Sequence, residues 1–164
     1  MIHESDLELT SNQQHSLKFQ ISKMIKKIKL DYIPDFNFLL LAIVSYEKDY
    51  KLVWDINNSL NFDFEKESDY RVFNRKSKVE TEFPSFVYRN TSQYIDYRLL
   101  VNKTNEGILL EELKNIDFLM VIKGDYFEGY DKIIQMKLQK LDTVQSTFII
   151  DIKTIKDKEH LLVD

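Results

Sequence analysis

Two carboxylates in the second half of the chain, Glu112 and Asp117, are the side chains best suited to acid–base chemistry. That chemistry needs one carboxyl group whose pKa is raised by burial or by its partner, so that it carries a proton near neutral pH. The two residues, however, span a predicted turn into a strand, where acidic side chains are common as caps and turn-formers. We therefore expect structural roles for Glu112 and Asp117, with a catalytic pair as the alternative.

A basic stretch with interleaved aromatic residues is the best candidate for recognition of a ligand. Its bases are Arg71, Arg75, Lys76 and Lys78, with no acid between them, and its aromatic residues are Tyr70 and Phe73. In sheet-surface RNA binders, aromatic platforms stack nucleobases while the flanking bases hold phosphates. The stretch does not match an RNP motif, and a solvated strand or loop face gives the same pattern. We expect a surface for a protein partner here, with RNA as the alternative ligand.

Residues 38–60 contain the only tryptophan, Trp54, and two polar residues set into an otherwise apolar face. Helical periodicity over residues 46–60 places Trp54 in the apolar arc, so its ring is expected to anchor a helix on a sheet. An exposed Trp54 would instead be a candidate for a protein interface. Asp49 and Asn57 fall in the same arc. Because buried polar groups need hydrogen-bond partners, they either tie down neighbouring backbone or line a site.

Composition excludes several kinds of site. The chain has no cysteine, which excludes disulfides, thiolate metal sites and cysteine nucleophiles, and fits a reducing compartment. His3, His15 and His160 lie towards the two ends of the chain, so neither a Ser–His–Asp triad nor a zinc site is expected. Three glycines are few for a phosphate-binding loop, and no Walker, GxGxxG or HExxH pattern occurs. No metal or cofactor is therefore expected.

The charge pattern is typical of a soluble protein without a polyanionic ligand. A net charge of −4, from 27 acids and 23 bases, gives no general attraction to nucleic acid or to an anionic membrane. The N-terminal 16 residues are polar and acidic, unlike a signal peptide. No apolar run approaches the ~20 residues that cross a bilayer. The sequence thus predicts a cytoplasmic protein that does not bind membranes.

The elements that position these residues follow from the apolar pattern. The continuous run at residues 38–44 predicts a strand buried on both faces, with a buried helical segment as the alternative. Ser45 then offers a hydroxyl suited to a helix N-cap. Amphipathic patterns predict two main helices, at about residues 46–60 and 126–141. Further strands are expected at residues 27–32, 70–76, 83–89, 94–101, 118–122 and 144–152.

Neighbouring strands with only two helices, rather than strict alternation, predict an α+β fold with a mostly antiparallel sheet. The chain of 164 residues is long enough for one domain with a proper core and short for two. We expect residues 1–16 to form a flexible N-terminal lead and residues 17–164 to form a single α+β domain.

Residues 110–118, LEELKNIDF, resemble the signature of a family of bacterial proteins named for the motif IPExxxVDY. Here Glu112 and Asp117 match the acidic positions of the motif, whereas Glu111 stands where the motif has proline. The segment KDYKLVW at residues 48–54 also looks like the KDYRL-type helix of that family. The resemblance covers roughly residues 25–163 and implies a similar order of elements, but it implies no activity or cofactor.

Taken together, these features predict a non-enzymatic interaction or adaptor module whose partner is another protein. The residues expected to contact that partner are Arg71, Phe73, Arg75, Lys76, Lys78 and Trp54. An RNA-associated protein that uses the basic stretch is the first alternative, and a small-molecule enzyme is the second. The identity of the partner and the oligomeric state do not follow from the sequence.

Overall fold

The computed structural model describes residues 10–27, 34–74 and 77–162, and the chain divides into two compact units, Met1–Ile33 and Pro34–Asp164. Helix α1, Ser11–Lys27, belongs to the first unit. Residues 11–16, predicted as part of a flexible lead, lie in this helix. The second unit begins at Pro34 rather than at residue 17. The strand predicted at residues 27–32 falls, apart from Lys27, outside the described residues.

The described residues of the second unit form eight strands and two α-helices, which confirms the predicted α+β class. The strands are β1 Leu39–Val44, β2 Glu65–Lys66, β3 Tyr70–Asn74, β4 Val79–Phe83, β5 Ser85–Asn90, β6 Ile95–Val101, β7 Phe118–Gly124 and β8 Ser146–Ile150. The helices are α2 Asp49–Leu60 and α3 Tyr130–Leu138, with short 3₁₀ turns at Glu111–Leu113, Ile152–Thr154 and Lys158–Leu161. Among the described helices, none is long and apolar enough to cross a membrane.

Strand β1 lies inside a six-stranded sheet with the order β2-β5-β6-β7-β1-β8, in which every pairing is antiparallel. The apolar run is therefore a strand rather than a helix. Leu41 pairs with Met120 of β7 and with Ile149 of β8, so the strand is hydrogen-bonded on both sides. Strands β3 and β4 form a separate antiparallel hairpin.

The two faces of the sheet carry two separate cores, because the central strands are apolar on both sides. On one face, the sheet packs against α2 and α3 through Leu52, Ile56, Ile134 and Leu138, all buried. On the other face, the cover comes from the β3–β4 hairpin, the segment after β6 and the C-terminal turns. The residues that supply this second cover include Val72, Phe83, Leu109, Leu110, Ile116, Ile155 and Leu161.

The ends of several predicted elements differ from the observed ones. The helix predicted at about residues 126–141 is the shorter α3, Tyr130–Leu138, and the strand predicted at residues 144–152 is the shorter β8, Ser146–Ile150. Ser45 is not the N-cap of α2, because the helix begins at Asp49 with Lys48 at the cap position. Instead, the Ser45 hydroxyl donates to the carbonyl oxygen of Thr143 (2.6 Å), and its N–H donates to a carboxylate oxygen of Asp117 (3.0 Å). The strand predicted at residues 83–89 is interrupted at Pro84, so it contributes to both β4 and β5.

Asn102 organises the loop between β6 and β7 and is fully buried. Its side-chain nitrogen donates to the carbonyl oxygens of Leu113 and Ile116, each at 2.9 Å. Its side-chain oxygen accepts the N–H of Leu110 at 3.0 Å. The Asn102 side chain therefore provides hydrogen-bond partners for backbone groups of a loop that has no regular pairing of its own. It also holds Leu110 and Ile116 in the second core.

We expect Asn102→Ala to lower the free energy of unfolding by about 3 kcal/mol, because buried backbone groups left without a partner cost about 1–3 kcal/mol each. Urea unfolding followed by circular dichroism measures this loss. Asn58→Ala is the control, since Asn58 is exposed on α2, and its effect should stay within about 0.5 kcal/mol. Equal stability of the two variants would contradict the role of Asn102.

Candidate interaction site

The solvent side of α2 exposes large aromatic side chains, which we call the α2 aromatic surface: Tyr46, Tyr50 and Trp54. Their exposed fractions are 87%, 69% and 66%. Tyr50 and Trp54 are four residues apart in the helix, so they lie one turn apart on the same side. Tyr46 is exposed three residues before the helix, in the segment between β1 and α2. The expectation that Trp54 anchors the helix on the sheet is wrong.

The error has a simple geometric cause. The predicted apolar arc of α2 was broad, and the sheet covers only the half of it that contains Leu52, Val53 and Ile56. Tyr50 and Trp54 belong to the other half, which no described element covers. A helical pattern gives the direction of each side chain but not the width of the surface that the neighbouring layer covers.

Asn57 marks the boundary between the two halves of the arc and has a structural role. Its amide nitrogen donates to the carbonyl oxygen of Phe64 (3.0 Å), and its amide oxygen accepts the N–H of Phe64 (2.8 Å). This pair of bonds ties the end of α2 to the segment that leads into β2. Asp49 is half-buried in the first turn of α2 and accepts the N–H of Tyr50 (2.8 Å). An acid is favourable there because of the helix dipole.

Glu112 and Asp117 each accept a backbone N–H, which supports structural roles for both. Glu112 is exposed and accepts the N–H of Lys156 (2.5 Å). Asp117 is half-buried, and besides the N–H of Ser45 it contacts the ammonium group of Lys103 at 2.5 Å. Both carboxylates therefore connect segments that are distant in sequence.

The basic stretch lies on the β3–β4 hairpin, where it faces acids that the order of the sequence does not reveal. Arg71 contacts Glu82 at 2.7 Å and Glu80 at 3.7 Å, both on β4. Phe73 is 58% exposed on the same strand, and Lys78 is exposed in the turn. Arg75 and Lys76 lie outside the described residues. The hairpin thus presents a face of mixed charge. Trp54 lies on α2, so Trp54 and the described bases are on different elements.

A network around Glu67 escaped the sequence analysis, since it joins β5 and β6 to the residue that directly follows β2. Glu67 accepts from Arg98 (2.6 Å) and from Arg89 (3.3 Å), and Arg98 also donates to the buried hydroxyl of Ser85 (3.1 Å). Burial alone would raise the pKa of the Glu67 carboxyl. The hydrogen bonds and positive charges of Arg98 and Arg89 outweigh that effect and lower the pKa below its ordinary value. The only signal of this network in the sequence was that Arg89 and Arg98 each belong to a predicted strand.

Tyr97 is a further group with a perturbed pKa, and it lies within the aromatic part of the first core. Burial raises the pKa of its hydroxyl, and a short hydrogen bond with the hydroxyl of Tyr130 raises it further. The Tyr97 ring stacks on Tyr88 with 5.4 Å between ring centroids. The group therefore stays protonated and joins α3 to β6, which is a structural role.

Trp54→Ala should lower the free energy of unfolding by less than about 1 kcal/mol, because little of the ring leaves water on folding. Ile56→Ala is the matched variant on the buried side of α2, and its loss should be about 2–5 kcal/mol. Urea unfolding of both variants measures the difference. A Trp54→Ala loss as large as that of Ile56→Ala would show that the α2 aromatic surface is covered in solution.

The Glu67 network makes stability depend on pH. Because the folded-state pKa lies below the ordinary value of 4.5, the carboxylate contributes stability above that pH and loses it as the pH falls through the folded pKa. The gap in urea midpoint between the native chain and Glu67→Gln should thus be present at neutral pH and close in acid. Glu106→Gln, at an exposed position, should show no such gap. A gap that persists unchanged in acid would contradict the ionic origin.

Comparison with known proteins identifies no relative of this chain. No family model, no curated protein and no solved structure matches the chain. The likeness of residues 110–118 to the IPExxxVDY motif stays a prediction. Within the described ranges, no group of three or more histidines, cysteines or acids is placed to hold a metal ion. The α2 aromatic surface is thus the feature of this chain that most needs a functional explanation.

Proposed function

We propose that this chain is a non-enzymatic, cytoplasmic interaction module that binds another protein through the α2 aromatic surface. The observation that carries the proposal is the exposure of Tyr50 and Trp54 on one side of a helix whose other side is buried, with Tyr46 exposed three residues before the helix. Tyrosine and tryptophan are the residues most enriched at the energetic centres of protein interfaces.

The size of the aromatic surface fits the centre of an interface rather than a whole one. A fully enclosed Tyr or Trp buries about 150–250 Å², so on the order of 100 Å² of each ring remains in water here. Covering three rings would contribute roughly 7 kcal/mol at about 25 cal/mol per Å². Association itself costs about 4–15 kcal/mol. A stable complex therefore needs further contacts around the rings, within an interface of about 800 Å² per partner.

The shape of the surface favours a partner of a particular kind. Tyr50 and Trp54 project from a helix as anchors spaced by one turn, which is how a helix binds an apolar groove. A projecting ridge is complementary to a groove and not to a second ridge, so we assign the surface to a different protein rather than to a second copy. Asn58 and the ion pair of Lys51 with Glu47 (2.8 Å) provide a polar rim.

The proposal is tested in two steps. Partners are first captured from lysate, with and without nuclease treatment, on the native chain, on Trp54→Ala and on Phe127→Ala, which removes an exposed aromatic residue from the loop between β7 and α3. Each protein that the native chain and Phe127→Ala retain, and that Trp54→Ala does not retain, is then purified. Its affinity is measured by titration, and we expect Trp54→Ala to weaken it at least tenfold, equivalent to about 1.4 kcal/mol.

Because Trp54 is the only tryptophan, its fluorescence reports directly on the surface. In the free protein, iodide should quench the emission of Trp54 readily, and a bound partner should protect it. Partners that disappear after nuclease treatment, an affinity unaffected by Trp54→Ala, or quenching unaffected by the partner would each contradict the proposal. Concentration-dependent dimerisation that Trp54→Ala abolishes would show that a second copy occupies the surface instead.

RNA binding through the basic stretch is less well supported, because Glu80 and Glu82 lie opposite Arg71 on the hairpin. We expect the affinity for single-stranded RNA to be no tighter than the non-specific range of about 10⁻⁴–10⁻⁶ M near physiological salt. Phe73→Ala should not change it. Fluorescence titrations of a labelled RNA at two salt concentrations measure both quantities. A submicromolar affinity that depends on Phe73 would support the alternative.

A further inference from the structure

A groove of about 650 Å³ runs along one edge of the β3–β4 hairpin. All five residues of β3 line it, and no residue of β4 does, so it lies at the β3 edge that faces away from β4. Its opposite wall consists of Glu111 and the C-terminal residues Asp157, Glu159 and His160. In the part of the chain that the structure describes, β3 pairs with β4 alone.

The β3 edge directs peptide groups into this groove. Peptide groups of an antiparallel strand point alternately to its two sides. The carbonyl oxygen of Asn74 accepts the N–H of Lys78 (2.8 Å), which places Asn74, and with it Val72, on the side of the turn and β4. Arg71 and Phe73 therefore direct their N–H and C=O groups towards the groove. These are the groups to which an added strand would hydrogen-bond.

The charges around the groove are mainly negative. Glu111, Asp157 and Glu159 are exposed, and none has an ion pair with a described residue. Lys158 lies between two of these acids in sequence, but its ammonium group lies 4.8 Å from the centre of the Phe36 ring. Two other side chains that line the groove already have partners within the protein. Arg71 contacts Glu82 (2.7 Å), and a ring nitrogen of His160 lies 3.2 Å from the carbonyl oxygen of Leu109.

We infer that the β3 edge binds an extended, basic peptide as an additional strand, with its lysines or arginines against the carboxylates of the opposite wall. This inference extends the proposed function, and it rests on that proposal only because both assign a polypeptide ligand to the chain. The groove is formed by β3 and the C-terminal turns, whereas the partner described above contacts α2. The exposed Phe73 beside the edge offers an apolar contact for the stems of such side chains.

Fluorescence anisotropy with synthetic peptides tests the inference on the full chain. The probe is a labelled decapeptide of alternating lysine and valine, and the matched probes are a glutamate–valine decapeptide and the lysine peptide N-methylated at its four central residues. We expect the lysine peptide to bind at least tenfold more tightly than either at low ionic strength. Its affinity should fall as salt is added.

Two triple variants with the same change of net charge separate the groove from the general charge of the chain. Glu111→Gln/Asp157→Asn/Glu159→Gln should weaken binding of the lysine peptide at least tenfold. The control, Asp63→Asn/Glu106→Gln/Glu128→Gln, alters exposed acids elsewhere and should retain most of the affinity. Circular dichroism establishes that both variants are folded.

Each of the other outcomes overturns the inference. Absence of binding by the lysine peptide would remove the site, and equal losses in the two triple variants would assign binding to net charge. Undiminished binding of the N-methylated peptide would exclude strand addition. Trp54→Ala should bind the lysine peptide like the native chain, so a failure of the α2 surface and a failure of the β3 edge are distinguishable.

Discussion

The structure depends on one constraint, which is that β1 consists of apolar residues on both of its faces. A strand of this kind needs neighbours on both sides for its backbone and a covering layer on each face for its side chains. Strands β7 and β8 meet the first need. Helices α2 and α3 cover one face, and the described residues of this unit include no further α-helix to cover the other. A hairpin, a loop and short turns do that work instead.

Covering a sheet with irregular segments requires partners for their backbone groups. Asn102 supplies three of them, and Glu112 and Asp117 each supply one. The polar residues that resembled a catalytic pair are thus part of the solution to a packing problem. The same arrangement leaves two features without a structural explanation, the aromatic side of α2 and the outer edge of β3, and both are surfaces suited to polypeptide ligands.

The parts of this fold that the sequence predicts are those in which burial follows directly from local pattern. The strand predicted at residues 94–101 is β6, whose alternation places Ile95, Tyr97 and Leu99 together in one core. Helix α1 was missed although the side-chain oxygen of Gln13 accepts both the N–H (3.0 Å) and the hydroxyl (3.1 Å) of Thr10, a contact that makes one half of a capping box. Its polar, uneven pattern lacks the apolar stripe by which helices are usually recognised.

The candidate site was less predictable, because it depends on contacts between distant segments. Trp54 was assigned to the core because the helical period of the sequence gives the direction of its side chain from the helix axis. The sequence does not give how much of the helix the sheet covers. The acids opposite Arg71 are several residues away in the chain and adjacent only across the hairpin. No local pattern contains the register that brings them together. The β3 edge is likewise a property of the arrangement of strands.

The order of the strands has a consequence for how the chain is made. Strand β1 is synthesised well before both of its neighbours, β7 and β8, which follow it only after α2 and five other strands. At about 5–20 residues per second, the ribosome adds β7 several seconds after β1 has been completed. Leu161, fully buried in the second core, is added after both of them. Among the described strands, β1 is the one built from apolar residues alone, and it stays without its partner strands on the nascent chain until β7 and β8 have been synthesised.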